Sequence, residues 1–514
     1  MMKLRVKLVG FSTGGKPIAV LNKYDAGELG IRSSDRIVIK YGKIELIAIT
    51  NVSDRLVKKG EIGICEELNH VKLKENTEVD VDVANYPTSL QFIRNKLKGR
   101  KLIFEEILAI VKDITNGYLS EIEVSSFVTT LHESGLDLDE ANSLTLAMVE
   151  TGKRLQLDKE FIADKHSIGG CAGDKTTLLL VPIIAAAGLT IPKTSSRAIT
   201  SAGGTADRAE CLMPVEIDLD QMKRIVDKTN GCIVWGGSLH LAPADDIFIQ
   251  VEYPLSIDPL LLPSIMSKKM GVGATHLVID IPVGRGTKVK TIGDGNMLAK
   301  DFIELGKRIG ITTQCAITYG EQPIGYTIGP ALEAREALEI LMRKKTIPDV
   351  IDKVTNMAGM LLEMSGKENG KEVAFGILKS GKAEEKLREI IYEQGGNAEV
   401  KPENITVGSY GTDFVSNNAG CVLWMDNVAL LELARAAGAP KDKGAGIQLY
   451  KKLGDTVKKG EKIFTMYSEK SRKLNRVRKL LEESRPVGTG SRMNMLIHKV
   501  KEIPITKRTF ILER

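Results

Sequence analysis

The chain has little that would commit it to metal, disulfide or nucleic-acid chemistry. Its 514 residues include only six cysteines, at Cys65, Cys171, Cys211, Cys232, Cys315 and Cys421, and six scattered histidines. No cysteine pair has C-x-x-C spacing, so neither a zinc site nor a disulfide framework is indicated. Reduced thiols in a cytoplasmic protein are the expectation. Aromatic residues are 5% of the chain, too few for base-stacking surfaces. The net charge of +6 sets 72 basic residues against 66 acidic ones, a mild and mixed balance unlike a nucleic-acid binder. No apolar run approaches about 18 residues, and the N-terminus lacks a signal-peptide pattern, so no membrane association is expected.

What is present reads as a multidomain α/β chain, too long for one core. Residues 1–86 alternate strongly: Leu4, Val6 and Leu8 share a face, and Ile37-Val38-Ile39 turns through Tyr41-Gly42-Lys43 into Ile44, Leu46 and Ala48. Short strands with such turns predict a small N-terminal β-barrel. Tyr86-Pro87-Thr88-Ser89 breaks the pattern. Four short helices follow as a helical lobe over 87–155, with capping boxes at Ser120/Glu123 and Asp137/Glu140. A central α/β domain with a mainly parallel sheet is expected over 156–420. Its strands are read at Gly231–Trp235, His276–Ile281 and Ile311–Thr318, and its helices at Leu178–Ala187, Leu219–Thr229, Leu298–Ile309 and Pro330–Lys344. Residues 241–270 are expected to return to the helical lobe. A C-terminal α+β domain is read over 421–514.

The chemistry concentrates between Asp164 and Glu210. Asp164-Lys165-His166-Ser167-Ile168-Gly169-Gly170 and Gly173-Asp174-Lys175-Thr176-Thr177 precede one helical pattern. Ser195-Ser196-Arg197-Ala198-Ile199-Thr200-Ser201-Ala202-Gly203-Gly204-Thr205 precedes another. Glycines admit close backbone approach, helix starts offer free N–H groups, and hydroxyls with a lysine complete an anion cradle. Two such loops suggest two anionic groups, or one held from two sides. A P-loop is a near miss, since Asp174 separates Gly173 from Lys175. Asp258-Pro259 reads on residue types alone as a helix N-cap with proline at the first helical position.

These motifs, with Leu241-Ala242-Pro243-Ala244-Asp245 and Ser264-Ile265-Met266-Ser267-Lys268-Lys269, resemble the thymidine and pyrimidine nucleoside phosphorylases from about Ser89 to the C-terminus. The resemblance implies a helical lobe facing an α/β lobe across a cleft, and attack of inorganic phosphate on the anomeric carbon of a ribosyl group. It implies no cofactor and no metal. By motif position, phosphate would be held by Lys165, Ser167, Thr177, Ser195 and Thr205. His166 would touch sugar or base, or simply form a wall.

Two departures are informative. The pyrimidine enzymes carry a base-gripping arginine where this chain has Ile249-Gln250-Val251. They carry a small turn where this chain has Gly284-Arg285-Gly286-Thr287-Lys288, whose basic side chains are expected to face the cleft. A nucleoside needs no such charge, whereas a nucleotide's 5′-phosphate does. Together with the N-terminal barrel, these features resemble the archaeal-type AMP phosphorylases, a branch acting in nucleotide degradation. That resemblance implies nucleoside monophosphates and phosphate as substrates, yielding base and ribose 1,5-bisphosphate. It places nucleotide contacts at Gly170, Ser196, Arg197, Ala198, Ile199, Thr200, Ser201, Thr205, Ser264 and Lys288, and makes Asp258 the proton donor. It also implies a homodimer or larger homo-oligomer. The preferred base stays open. The alternatives are a pyrimidine-nucleoside phosphorylase, a phosphoribosyltransferase in which Asp207 and Glu210 bind magnesium, and a non-enzymatic scaffold.

Overall fold

The computed structural model describes residues 1–198 and 201–491, apart from the side chain of Glu482. Ile199, Thr200 and residues 492–514, named in the expectations above, lie outside the described residues.

Six strands, β1 (Met2–Leu8), β2 (Ile18–Leu21), β3 (Arg36–Tyr41), β4 (Ile44–Val52), β5 (Glu61–Ile64) and β6 (Glu78–Val83), close into a barrel in the order β1-β5-β2-β4-β3-β6. Helix α1 (Lys23–Leu29) links β2 to β3. The β1–β5 and β2–β4 pairs are parallel and the other neighbours antiparallel. Alternate residues Leu4, Val6, Ile37, Ile39, Val79 and Val81 point inward and form the barrel core. Arg36 ties the barrel to the helical lobe: its Nε donates to the Tyr118 carbonyl at 2.7 Å, and its guanidinium pairs with Glu123.

The helical lobe comprises α2 (Ser89–Leu97), α3 (Phe104–Thr115), α4 (Glu121–Ser134) and α5 (Leu138–Glu150). Glu123 closes the box at Ser120 by accepting its backbone N–H at 2.7 Å. Only half of the second box forms. Asp137 accepts from Glu140 N at 2.8 Å, but the Glu140 carboxylate turns inward to Lys96 at 2.7 Å and to Leu102 N at 3.0 Å.

The central lobe runs β7 (Ala163–Ser167), α6 (Thr176–Ala186), β8 (Ile191–Ser195), α7 (Thr205–Ala209), α8 (Leu219–Thr229), β9 (Gly231–Trp235), α9 (Pro243–Leu255), α10 (Leu261–Gly271), β10 (His276–Val283), α11 (Ile292–Arg308) and β11 (Thr312–Tyr319). Strands β11-β10-β7 form one parallel sheet and β8-β9 another parallel pair. A single bridge between Ile162 and Thr190 joins the two. The chain therefore steps from β7 outward to β8 and β9, then crosses back to β10. That reversal leaves a crevice beyond the carboxyl ends of β7 and β10, where open α/β sheets bind ligands. Ala244, Phe248 and Leu260, from α9 and the turn after it, pack into the core of the helical lobe. Helix α11 starts at Ile292 rather than Leu298, because the Thr291 hydroxyl accepts from Asp294 N at 3.1 Å and caps it there.

After the short β12 (Thr327–Ile328) come α12 (Pro330–Leu341), α13 (Pro348–Met364), α14 (Gly370–Ser380) and α15 (Lys382–Glu393). Helix α6, apolar on all sides, is buried among them. The last part holds β13 (Tyr410–Val415), β14 (Gly420–Met425), α16 (Asn427–Ala437), β15 (Gly446–Leu449), β16 (Thr456–Val457), β17 (Lys462–Ser468), α17 (Ser471–Glu483) and β18 (Val487–Gly490). Its sheets have the orders β12-β15-β17-β13 and β16-β14-β18. Strand β13 pairs along its length with β17, so its backbone groups belong to the C-terminal sheet.

Candidate active site

The sequence signature lies at the carboxyl edge of the sheet. Its opening is a strand, not a loop: Asp164, Lys165, His166 and Ser167 are residues of β7, and Ser195 ends β8. Asp164 is fully buried between two lysines, with Lys269 donating at 2.8 Å and the Lys193 ammonium 3.5 Å away. Burial pulls the Lys193 ammonium down to about 7, with Asp164 opposing and Lys269 and Lys165 adding to the fall. The same charges surround His166. Burial first, then Lys269, Lys193, Lys165 and Lys268, hold its pKa well below the ordinary value. A neutral imidazole fits a wall or hydrogen-bonding role, not a cation.

Lys165 is 1% exposed, with its ammonium 3.6 Å from Asp174 and 3.9 Å from Asp280. Lys353 of α13 pairs with Asp280 at 2.8 Å. Burial opposes ionisation of Asp174, yet Lys165 and Lys353 hold it well below the usual carboxylate range. Ser167 sits beside this group, its hydroxyl accepting from Gly169 N at 3.4 Å. Thr177 lies in the first turn of α6, and Thr205 is the first residue of α7. The Ser195 hydroxyl donates to the Val234 carbonyl at 3.1 Å. The five phosphate candidates thus stand on two adjacent strand ends and the helices that follow them.

Lys175 is not part of a cradle. It is fully buried and donates to Glu336 at 2.6 Å, to the Ile324 carbonyl at 2.8 Å and to the Thr327 carbonyl at 3.3 Å. A Walker lysine would point at phosphate, so the P-loop comparison ends here.

The second loop curls on itself. Asp207 accepts from Ala198 N at 2.7 Å and Gly204 N at 2.9 Å. A Cβ on Gly204 would stand 2.5 Å from the Ser196 carbonyl oxygen. Ser196, Ala198, Ser201 and Thr205 lie on this turn, and the Ser201 hydroxyl donates to Gly203 O at 3.3 Å. The Arg197 side chain is committed elsewhere: it forms a fork with Glu210 at 2.7 and 2.8 Å, reaches Glu216 at 2.7 Å and lies 5.1 Å above the Trp235 ring. Any nucleotide contact at Arg197 is therefore left to its backbone. Glu210 also pairs with Lys443. Both carboxylates that might have mimicked a magnesium motif are spent on protein groups.

Gly170 brings the two halves of the crevice together. It has φ +92°, and a Cβ there would lie 2.7 Å from Lys288 N and 2.9 Å from Thr287 Cα. The Thr287 hydroxyl donates to Gly284 O at 2.8 Å or Val289 O at 2.6 Å, which closes the turn carrying Lys288. Arg285 does not face the crevice as expected. It lies 5.5 Å over the Trp424 ring, and its N–H donates to Glu321 at 3.1 Å. Lys288 donates to Asp258 at 2.6 Å.

Asp258 is not a helix cap. Helix α10 begins at Leu261 with Leu260 in the cap position, so Pro259 lies outside it. Asp258 is 42% exposed on the α9–α10 turn, its carboxylate turned to Lys288. Ser264 lies on α10 one turn further on, its N–H bonded to Leu260 O at 2.8 Å.

Three groups here carried no separable signal. Glu252, 7% exposed at the end of α9, accepts from Leu260 N at 3.3 Å, and burial followed by the Asp258 charge raises it to about 7. Lys268 pairs with the fully buried Asp245. Asn427, fully buried, accepts from Ala172 N at 3.1 Å and donates to Gly320 O at 2.8 Å and Arg285 O at 3.3 Å. One amide thus ties the loops after β7, β10 and β11. Burial raises the thiols of Cys171, Cys211 and Cys315 to about 12.

A helical lobe, a parallel α/β lobe and polar loops at the strand reversal define a glycosyl-transferring class of enzyme. Family models agree: residues 90–152 match the glycosyl transferase family helical bundle domain, 159–384 its a/b domain, and 422–487 the pyrimidine nucleoside phosphorylase C-terminal domain. The AMP phosphorylase of Thermofilum pendens is 48% identical over 516 residues, covering 100% of both chains. That of Thermococcus kodakarensis is 49% identical over 492 residues, covering 95% of this chain and 97% of the other. The fold also matches anthranilate phosphoribosyltransferase from Thermus thermophilus, with a TM-score of 0.51 at 18% identity over 59% of this chain and 98% of that one. The chain belongs to the pyrimidine nucleoside phosphorylase family, within its group of AMP phosphorylases.

Proposed function

We propose that the protein phosphorolyses nucleoside 5′-monophosphates, converting AMP and inorganic phosphate to adenine and ribose 1,5-bisphosphate. The observation that carries this reading is the Lys288–Asp258 contact, which sets a cation able to pair with a phosphate beside a carboxyl able to give a proton. Lys165, Ser167, Thr177, Ser195 and Thr205 hold the attacking phosphate. Gly170, residues 196–201, Thr205, Ser264 and Lys288 hold the nucleotide. Preorganised donors stabilise the displaced charge as the glycosidic bond loosens, and Asp258 protonates the leaving nitrogen. The spent carboxylates Asp207 and Glu210 weigh against a magnesium-pyrophosphate transfer.

The working unit is a cytoplasmic homo-oligomer of four-part chains. These parts are the barrel over 1–86, the helical lobe over 87–155 with 241–270, the α/β lobe over 156–420, and the C-terminal unit over 421–514. Phosphorus NMR of the protein with AMP and phosphate, without added metal, tests the reaction. Phosphate-dependent ribose 1,5-bisphosphate is expected. Sugar 1-phosphate from thymidine or uridine alone would overturn the nucleotide assignment.

A further inference from the structure

We propose that Lys353 of α13 is a positioning residue for the attacking phosphate: by occupying Asp280 it keeps the Lys165 ammonium free to meet that anion. This rests on the phosphate site proposed above and deepens it.

Four charged side chains gather where β7 pairs with β10. Lys165 stands on β7 and Asp280 on β10, Asp174 lies just ahead of α6, and Lys353 reaches in from α13. Asp280 is fully buried, and the Lys165 and Lys353 side chains are 2% and 8% exposed. Their contacts are unequal. Lys353 Nζ lies 2.8 Å from Asp280 Oδ2, whereas Lys165 Nζ lies 3.9 Å from the same oxygen and 3.6 Å from Asp174 Oδ2. Lys165 is therefore attracted by two carboxylates and hydrogen-bonded to neither. Lys175 shows the contrary state, a lysine fully engaged by Glu336 and two carbonyls.

Asp280 cannot swing away from this competition. Its Oδ1 accepts from the Thr318 hydroxyl at 2.6 Å, and its carbonyl accepts from Ile168 N at 3.0 Å. A fully buried carboxylate has to keep a cation, because an uncompensated buried charge is costly. Two lysines are within reach of it, and Lys353 makes the closer contact. Burial opposes the Lys353 charge, but Asp280 and then Asp174 hold its pKa above the ordinary lysine value. Among the described residues neither Lys353 Nζ nor Asp280 Oδ2 makes a directed hydrogen bond, so the pair is held by charge. Arg208, which Asp174 also senses, is committed to Glu333 and is no substitute. Without Lys353, Asp280 would draw Lys165 onto itself, and the cation of the phosphate site would be engaged inside the protein.

Steady-state kinetics with AMP and inorganic phosphate test this, on protein shown to be folded by its urea midpoint. In Lys353→Met, KM for phosphate should rise at least about tenfold, the loss of one charge-assisted hydrogen bond, while KM for AMP changes by less than about threefold. In Lys353→Met/Asp280→Asn the competing carboxylate is gone as well, and KM for phosphate should return to within about threefold of wild type. Asp280→Asn alone keeps the shape and the Thr318 bond, and decides the matter even where Lys353→Met does not fold: KM for phosphate should equal or fall below the wild-type value. An unchanged phosphate KM in folded Lys353→Met would make the pair merely structural and overturn the proposal. So would a double variant as impaired as Lys353→Met, the mark of a direct phosphate ligand, or a raised phosphate KM in Asp280→Asn. An unchanged phosphate KM in Lys165→Gln would instead remove the phosphate site beneath it.

Discussion

Replacing Lys175 by methionine separates a structural lysine from a phosphate-binding one. The side chain is fully buried, and each of its three N–H donors has a protein acceptor: Glu336 at 2.6 Å, Ile324 O at 2.8 Å and Thr327 O at 3.3 Å. Methionine keeps the volume and removes the charge. Glu336, 2% exposed, would still accept from Tyr326 N at 3.1 Å and the Thr327 hydroxyl at 3.0 Å, but its cation would be gone. Breaking one side of a buried pair costs about 3–5 kcal/mol. That is a large fraction of a domain stability of about 5–15 kcal/mol, yet leaves a foldable protein at low temperature. Adding Glu336→Gln removes the orphaned charge, so the double variant should be less destabilised than Lys175→Met alone. The deficit remaining should be about 1–2 kcal/mol, the net worth of the lost hydrogen bonds. Urea midpoints of the three proteins give the energies, and KM for inorganic phosphate, measured cold on folded protein, gives the function. An unchanged midpoint with a phosphate KM raised more than about tenfold would refute the assignment and restore Lys175 to an anion cradle.

Three further outcomes follow from the same geometry. Glu252 carries a folded-state pKa of about 7, raised by burial first, against an ordinary 4.5. The unfolded chain therefore loses this proton first, and stability falls as pH rises from about 4.5 to 7. Glu252→Gln should recover up to about 3 kcal/mol at pH values above 7 and almost nothing well below 4.5. Equal urea midpoints for variant and wild type at both ends would contradict the burial. Asn427→Ala removes three hydrogen bonds and leaves Ala172 N unsatisfied, at a cost of about 3 kcal/mol. Proteolysis of the loops after β7, β10 and β11 should quicken, and unaltered cleavage rates would argue that the amide is not their tie. Gly170→Ala drives a methyl against the Lys288 and Thr287 backbone at positive φ. A displaced Lys288 should lower kcat/KM for AMP on the order of a hundredfold, and full activity in steady-state assays would show that the crevice tolerates a wider loop.

How far these features could be read from the sequence depended on whether their cause was local. The barrel hairpin at Tyr41–Ile44 and helix α8 over Leu219–Thr229 are written in alternation and capping, and the structure has both. Strand β9, apolar at Cys232, Ile233 and Val234, was equally plain. Strands β7 and β8 were not. Asp164, Lys165 and Lys193 place charges where a buried parallel strand should be apolar. They are tolerated because Asp164 meets Lys193 of β8 and Lys269 of α10, a balance created only when distant segments meet. Helices α13 to α15 have ordinary helical text, and residues 345–400 carry no distinctive motif.

The site shows the same division more sharply. The residue types of the two loops pointed to an anion at the strand ends, and both loops are there. Which side chains face the crevice was not legible, because that depends on partners remote in sequence. Arg285 and Lys288 are three residues apart in one glycine turn, yet Trp424 draws one toward the C-terminal unit and Asp258 holds the other. Arg197 carries the right charge at the right motif position, but Glu210 and Glu216 hold it. Asp258-Pro259 has helix-capping text, but the helix starts at Leu261 and Glu252 braces the turn instead. In each case a side chain outside the local motif decides the outcome. The electrostatics of this crevice are therefore a property of the lobes together, and single substitutions there should be read against the partner they strand.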